Sequence, residues 1–150
     1  MRSLFGDRIL LKITKLRRLY GVAIIGLFYG SDTGNTEHAA KLIQKILNGT
    51  DTVVLHNVAE GVSKMVEYDY LILGAPTWNI GELQGDWEDH MAEFETFDFS
   101  GKKIAICGLG DARGYPSTFV DGVGMLGEVM FQKGESWSVS GRRMITNFRE

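Results

Sequence analysis

Three short segments carry the residues with chemical potential. Gly30-Ser31-Asp32-Thr33-Gly34-Asn35-Thr36 gathers hydroxyls around a glycine. Ala75-Pro76-Thr77-Trp78-Asn79-Ile80-Gly81-Glu82-Leu83 sets an indole between a proline and a glycine. Gly108-Leu109-Gly110-Asp111-Ala112-Arg113-Gly114-Tyr115-Pro116-Ser117-Thr118-Phe119 does the same with a phenol. In the first segment Ser31, Thr33 and Thr36 offer hydroxyl donors, and Gly34 lets the backbone come close to an anion. A helix starting at Asn35 would add free N–H groups and the positive end of its dipole. No lysine or arginine stands in this segment. That excludes the nucleoside triphosphate loop, whose lysine carries the β/γ charge, and this segment lacks the G-x-G-x-x-G dinucleotide pattern too. The implied ligand is a monophosphate held by neutral donors, with ordinary helix capping by serine and threonine as the rival. Trp78 is poorly placed for a core and well placed to stack on a planar ligand. Taken by itself, Tyr115 is equally an aromatic in a turn.

The elements around these segments alternate. Val22 to Phe28 is an apolar run of buried-strand length, and Asn35 to Leu47 has helical spacing stopped by Asn48-Gly49. Further strands are expected at Thr52–Leu55, at Tyr70–Ala75 closed by Pro76, and at Lys103–Cys107. Helices are expected at Ala59–Val66, Leu83–Phe94 and Phe119–Phe131. Such alternation predicts an α/β fold with a parallel sheet. In these sheets ligands bind beyond the carboxyl ends of the strands, where the strand order switches. The loops at 29–36, 76–82 and 108–117 leave three strand ends, so one site built from three separated segments is expected.

Composition narrows the function. The chain has 150 residues, 44% apolar and 23% charged, which suits one globular domain with a sizeable core. A single cysteine, Cys107, excludes an internal disulfide framework, and an iron–sulfur or multi-thiolate zinc site built from this chain alone. No apolar run approaches the ~20 residues of a membrane helix. The net charge of −3 is unevenly spread: residues 1–21 hold six cations and one acid, residues 22–134 seven cations and sixteen acids. The acidic body argues against nucleic acid and suits a partner with a basic docking face. His38, His56 and His90 lack ligand spacing, so no metal site is expected; Cys107, Met125 and Met130 read as packing residues.

Ser-x-Thr-Gly-Asn-Thr, Pro-Thr-Trp-Asn-Ile-Gly-Glu-Leu and Gly-Asp-x-x-Gly-Tyr, in this order, resemble the three FMN loops of long-chain flavodoxins. The resemblance covers about Val22 to Gly134. It implies a flavodoxin-like doubly wound parallel sheet, order 2-1-3-4-5, that holds FMN non-covalently and carries single electrons at low potential, with no catalytic residues and no metal. It assigns Ser31, Asp32, Thr33, Gly34, Asn35 and Thr36 to the phosphate. Pro76, Thr77, Trp78, Asn79, Ile80 and Gly81 form the first ring loop, with Trp78 on the inner face and the Asn79–Ile80 peptide turning with the flavin's redox state. Gly108, Leu109, Gly110, Asp111, Tyr115, Thr118, Phe119 and Asp121 form the second, with Tyr115 on the outer face. Thr118 departs from the family, many of whose members carry Asn there. The implied partners are other redox proteins, among them a reductase of the flavodoxin/ferredoxin–NADP type, in the cytoplasm.

Three other readings compete. A flavodoxin-like NAD(P)H quinone reductase shares the fold and phosphate chemistry but turns over two electrons. A signalling receiver would need an acidic cluster and a lysine after the last strand. The third is a gene fragment without function. Residues 135–150 match neither the family's fifth strand nor its last helix, so both are expected to be largely missing. A back-translation shifted in frame gives Arg-Ile-Val-Val-Gly-Gln-Trp-Pro, similar to that strand, and a frameshifted tail is expected. Residues 15–22 can be encoded as a ribosome-binding sequence followed by a GTG codon at Val22, so residues 1–21 are expected to be untranslated leader. A basic amphipathic helix carrying Leu4, Leu11, Leu16 and Leu19 is the rival for that segment.

Overall fold

The computed structural model describes residues 21–78, 80–110, 113–114, 117 and 121–133. Among them run β1 (Ile24–Tyr29), α1 (Asn35–Leu47), β2 (Thr52–Asn57), two 3₁₀ turns (Val58–Glu60 and Ser63–Glu67), β3 (Tyr70–Trp78), β4 (Glu82–Leu83), α2 (Gly85–Phe94), β5 (Lys103–Leu109) and α3 (Asp121–Gln132). β1 pairs in parallel with β2 on one side and β3 on the other, and β3 pairs in parallel with β5. The parallel order is therefore β2-β1-β3-β5: the alternating pattern predicts the parallel sheet, and the order matches the start of the doubly wound one that the resemblance implies. Position 134 and the tail 135–150 lie outside the described residues, as do residues 1–20, so the expectations for a missing fifth strand and for both termini fall there.

Side-chain alternation along the strands divides the core in two. Leu27 and Tyr29 of β1 point to the face covered by α1 and pack with Ala40 and Val53. Phe28, between them, points to the other face and joins Leu71, Leu73, Ala75, Trp87, Phe94, Leu126 and Met130. Burial on both faces explains why β1 and β3 read as continuous apolar runs. α1 is fastened to β2 at its carboxyl end: Gln44 Nε2 donates to the Val53 carbonyl at 2.9 Å, and Asn48 Oδ1 accepts from Val53 N at 2.9 Å.

Several expected boundaries move, each for a local reason. The helix expected at 59–66 is two 3₁₀ turns, because Gly61 between them has φ +107° and ψ 166°, which no helix can contain. β3 does not stop at Pro76 but runs on to Trp78. The β1 ladder has already ended at Gly74, so Pro76 meets only Leu109 across the sheet and its missing N–H is tolerated. Thr77 and Trp78 then fold back antiparallel against Leu83 and Glu82, turning through Gly81 at φ +88°. Leu83 is thus strand, and the helix expected from Leu83 begins at Gly85.

Candidate functional site

The loops after β1, β3 and β5 leave the carboxyl ends of three neighbouring parallel strands, and β1 sends its chain to β2 on one side and has β3 on the other. The loop after β1 is shaped by two of its own residues. Gly34, in the left-handed region at φ +87°, turns the chain into α1. Ser31 Oγ accepts from Gly34 N at 3.1 Å and from Glu37 N at 3.3 Å. Part of the capping reading is therefore correct for Ser31. An α-helix leaves its first four N–H groups without an intrahelical acceptor. Glu37 N is used by Ser31 and His38 N by the Gly34 carbonyl. Among the described residues the N–H groups of Asn35 and Thr36 meet no acceptor and remain available as donors. Thr36 is buried, whereas Asp32, Thr33 and Asn35 are more open to solvent.

The loop after β3 is a hairpin rather than an open loop. Trp78 is half-buried at its strand end, and its Nε1 is buried with no hydrogen-bond partner among the described residues. A buried N–H without an acceptor is rare in a finished protein interior. Ile80, at the hairpin tip, is 76% exposed. Thr77 Oγ1 accepts from Gly122 N at 3.1 Å, so the hairpin is tied to the first turn of α3, beside Asp121. Gly108 and Leu109 lie in β5 opposite Ala75 and Pro76, and Gly110 follows them. Asn79, Asp111, Tyr115, Thr118 and Phe119 lie outside the described residues.

Two residues that the sequence reading passed over, Gln84 and Trp87, pack against Gly30 at the start of the loop after β1. Gln84 is fully buried and caps α2. Its Nε2 donates to Asp32 Oδ1 at 2.9 Å and to Asp86 Oδ2 at 2.7 Å, and its Oε1 accepts from Trp87 N at 3.4 Å. Trp87 is also fully buried, and its Nε1 donates to the Gly74 carbonyl at 3.0 Å. Gly30 makes room for both: a Cβ there would lie 2.1 Å from Gln84 Oε1 and 2.7 Å from Trp87 Cδ1. The available signal was a glutamine before a helical run, a weak one, since glutamine is not among the preferred N-caps.

The donor set suits a phosphate monoester: hydroxyls and helix N–H groups, with no lysine or arginine between positions 30 and 36. A family model described as Flavodoxin matches residues 27–142. The chain belongs to the flavodoxin family. It is 47% identical to a flavodoxin of Nostoc sp. over 122 residues, covering 78% of this chain and 71% of the relative. It is 42% identical to Flavodoxin 1 of Escherichia coli over 125 residues, 80% of this chain and 70% of that one. Among solved structures, Fusobacterium nucleatum flavodoxin bound to flavin mononucleotide superposes with a TM-score of 0.73 at 29% identity, over 78% of this chain and 70% of that one. Oxidised Flavodoxin 1 of Bacillus cereus superposes with a TM-score of 0.69 at 29% identity, over 77% and 79%. The flavodoxin match bears out the fold read from the strand–helix alternation and the family read from the three loops. It also runs past Gly134, where the motif resemblance was set to end.

Proposed function

We propose that this chain binds FMN without a covalent bond and carries single electrons between redox proteins, itself catalysing no substrate turnover. The observation that carries the reading is the meeting, at the carboxyl ends of neighbouring parallel strands, of a phosphate loop without cations and a tryptophan whose buried N–H lacks an acceptor among the described residues. Bound FMN supplies the redox chemistry, accepting and releasing electrons one at a time. The chain's residues do the rest. The N–H groups of Asn35 and Thr36, with the hydroxyls of Ser31, Thr33 and Thr36, take the phosphate. Trp78 lays its indole along one face of the ring and excludes water there. In the family's arrangement the hairpin of residues 76–81 would border the ring, the backbone N–H groups around Gly110 would meet its pyrimidine edge, and Tyr115 would cover the second face.

Charge sets the direction in which this site biases its cofactor. Glu82, Asp86, Glu88, Asp89 and Asp121 all stand on the hairpin, on α2 or at the start of α3. No cation stands in the phosphate loop or the hairpin to oppose them. Adding negative charge at the site is thus disfavoured, which lowers the potential of the last electron. The acidic body, with seven cations against sixteen acids over residues 22–134, suits docking to a basic face, and a reductase of the NADP-linked type fits as electron donor. A cytoplasmic setting belongs to the same proposal. Among the described residues no helix is long and apolar enough to cross a membrane.

Purification followed by absorbance spectroscopy and a redox titration tests the reading. The expected result is a yellow protein with a flavin band that titrates in two separated one-electron steps. Purified chain that takes up no FMN overturns it. A single two-electron step, with NADPH-driven quinone reduction by the chain alone, would move the function to the quinone reductase class.

A further inference from the structure

An acidic residue inside an anion-binding loop needs a physical explanation. Asp32 lies between Ser31 and Thr33, and a carboxylate there repels a phosphate unless something fixes where its charge sits. Gln84 supplies the fixing contact across 52 positions of sequence. Its amide has one orientation compatible with its neighbours: Asp32 and Asp86 only accept, so Nε2 faces both, and Oε1 faces the N–H of Trp87. The amide is fully buried and wedged over Gly30, where even a methyl group would collide with it. Gln84 therefore has little room to turn. It also sits one residue after β4, so the contact links the phosphate loop to the hairpin that carries Trp78.

We propose that Gln84 is a positioning residue for the cofactor phosphate: by holding Asp32 through its buried amide, it sets the phosphate loop in its binding shape and couples that loop to the Trp78 hairpin. The inference rests on the FMN reading above. Gln84 touches neither phosphate nor ring; it acts through Asp32. Replacing Gln84 with Leu leaves one carboxylate oxygen of Asp32 without its donor and frees the loop. Replacing it with Glu brings a third carboxylate against Asp32 and Asp86. The Gln84→Glu variant carries its own switch: once protonated, the introduced carboxyl group has an O–H that can donate to Asp32.

The experiment measures dissociation constants of FMN and of riboflavin, which lacks the phosphate, for the full chain and for Gln84→Leu, Gln84→Glu and Asp32→Asn/Gln84→Glu between pH 5 and 8. Far-UV circular dichroism confirms that each variant is folded. Gln84→Leu should weaken FMN about tenfold, the loss expected for one hydrogen bond to a charged group. Riboflavin should weaken much less, because the phosphate loop is not in play. Gln84→Glu should lose at least as much FMN affinity near pH 8 and recover it toward pH 5, with the wild-type chain flat by comparison. The double variant exchanges donor and acceptor between positions 32 and 84, while Asp86 still faces the new carboxylate, so it should restore part of the affinity near pH 8. Equal loss for FMN and riboflavin would reduce Gln84 to a general packing residue and overturn the proposal. Unchanged FMN affinity in Gln84→Leu, or a double variant no better than Gln84→Glu, would also overturn it. A wild-type chain that binds neither flavin overturns the FMN reading itself, a result distinct from these.

Discussion

Two side chains outside the proposed cofactor contacts give the molecule opposite responses to pH. His56 stacks on Phe28 with ring centroids 4.5 Å apart and shares a 2.8 Å hydrogen bond with the Tyr68 hydroxyl. Burial, then the nearby Lys64 charge, holds its imidazole below its ordinary value of 6.5, against the opposing pull of Glu67 and Glu60. The folded chain thus binds this proton less readily than the unfolded chain. The stability it contributes is present above pH 6.5 and is lost as pH falls through the folded value. Urea midpoints should decline below about pH 6.5, and the decline should be shallower in His56→Gln. Cys107 works the other way. Burial pushes its thiol from 9.0 up to about 11. Its stability contribution is present below pH 9 and is lost as pH rises through about 11. Alkylation by iodoacetamide should keep accelerating to about pH 11 in the folded chain, but level off near pH 9 in urea. Cys107 lines an apolar cavity of about 180 Å³ between α1 and β5. His56 could not be read from its spacing alone. Its partner Tyr68 stands beyond two 3₁₀ turns, and only tertiary folding brings the two together.

Elements were legible where the physics is local. α1 has the bounds its spacing predicts, because its apolar stripe, its entry glycine and its Asn48-Gly49 stop all lie within one short window. The segment after β2 was not legible, since a stretch that supports one helical turn looks much like one that supports two. Nor was the hairpin: whether Glu82 and Leu83 begin a helix or close a turn depends on Trp78 and Thr77 across from them. The same dependence on neighbours separates two glycines of the site. Gly34 has open space where a Cβ would stand, so Gly34→Ala meets only the left-handed backbone penalty, about 1 kcal/mol. Gly108→Ala would place a Cβ 2.0 Å from Val123 Cγ2 and 2.9 Å from the Ala75 carbonyl, wedging α3 off the sheet. Overpacking of that kind costs ~1–3 kcal/mol. Denaturant unfolding should show Gly108→Ala to be the more damaging of the two. Val123→Ala added to Gly108→Ala should recover part of the loss, a coupling that Val123→Ala added to Gly34→Ala should lack.

At the scale of the whole molecule, the site is a set of ties between distant segments. Gln84 joins the loop after β1 to the end of the hairpin, and Thr77 joins the hairpin to α3. The motifs placed three loops at the carboxyl ends of the strands, but these cross-links are not written in any one of them. Their consequence is that a ligand spanning phosphate loop and hairpin stabilises elements from β1 to α3 together. A ligand that binds only the folded state adds RT ln(1 + [L]/Kd), about 2.7 kcal/mol at a hundredfold excess over Kd. For a domain of this size that corresponds to a rise in Tm of roughly 10 °C. FMN at that excess should therefore raise the melting temperature by this order in a single transition. Riboflavin at the same concentration should raise it less, because it engages the hairpin without the phosphate loop. Inorganic phosphate tested separately should give a small rise of its own. Separate transitions in the presence of FMN, reported by release of flavin fluorescence and by backbone circular dichroism, would mean that the site opens apart from the sheet and that the two ties do not make one unit.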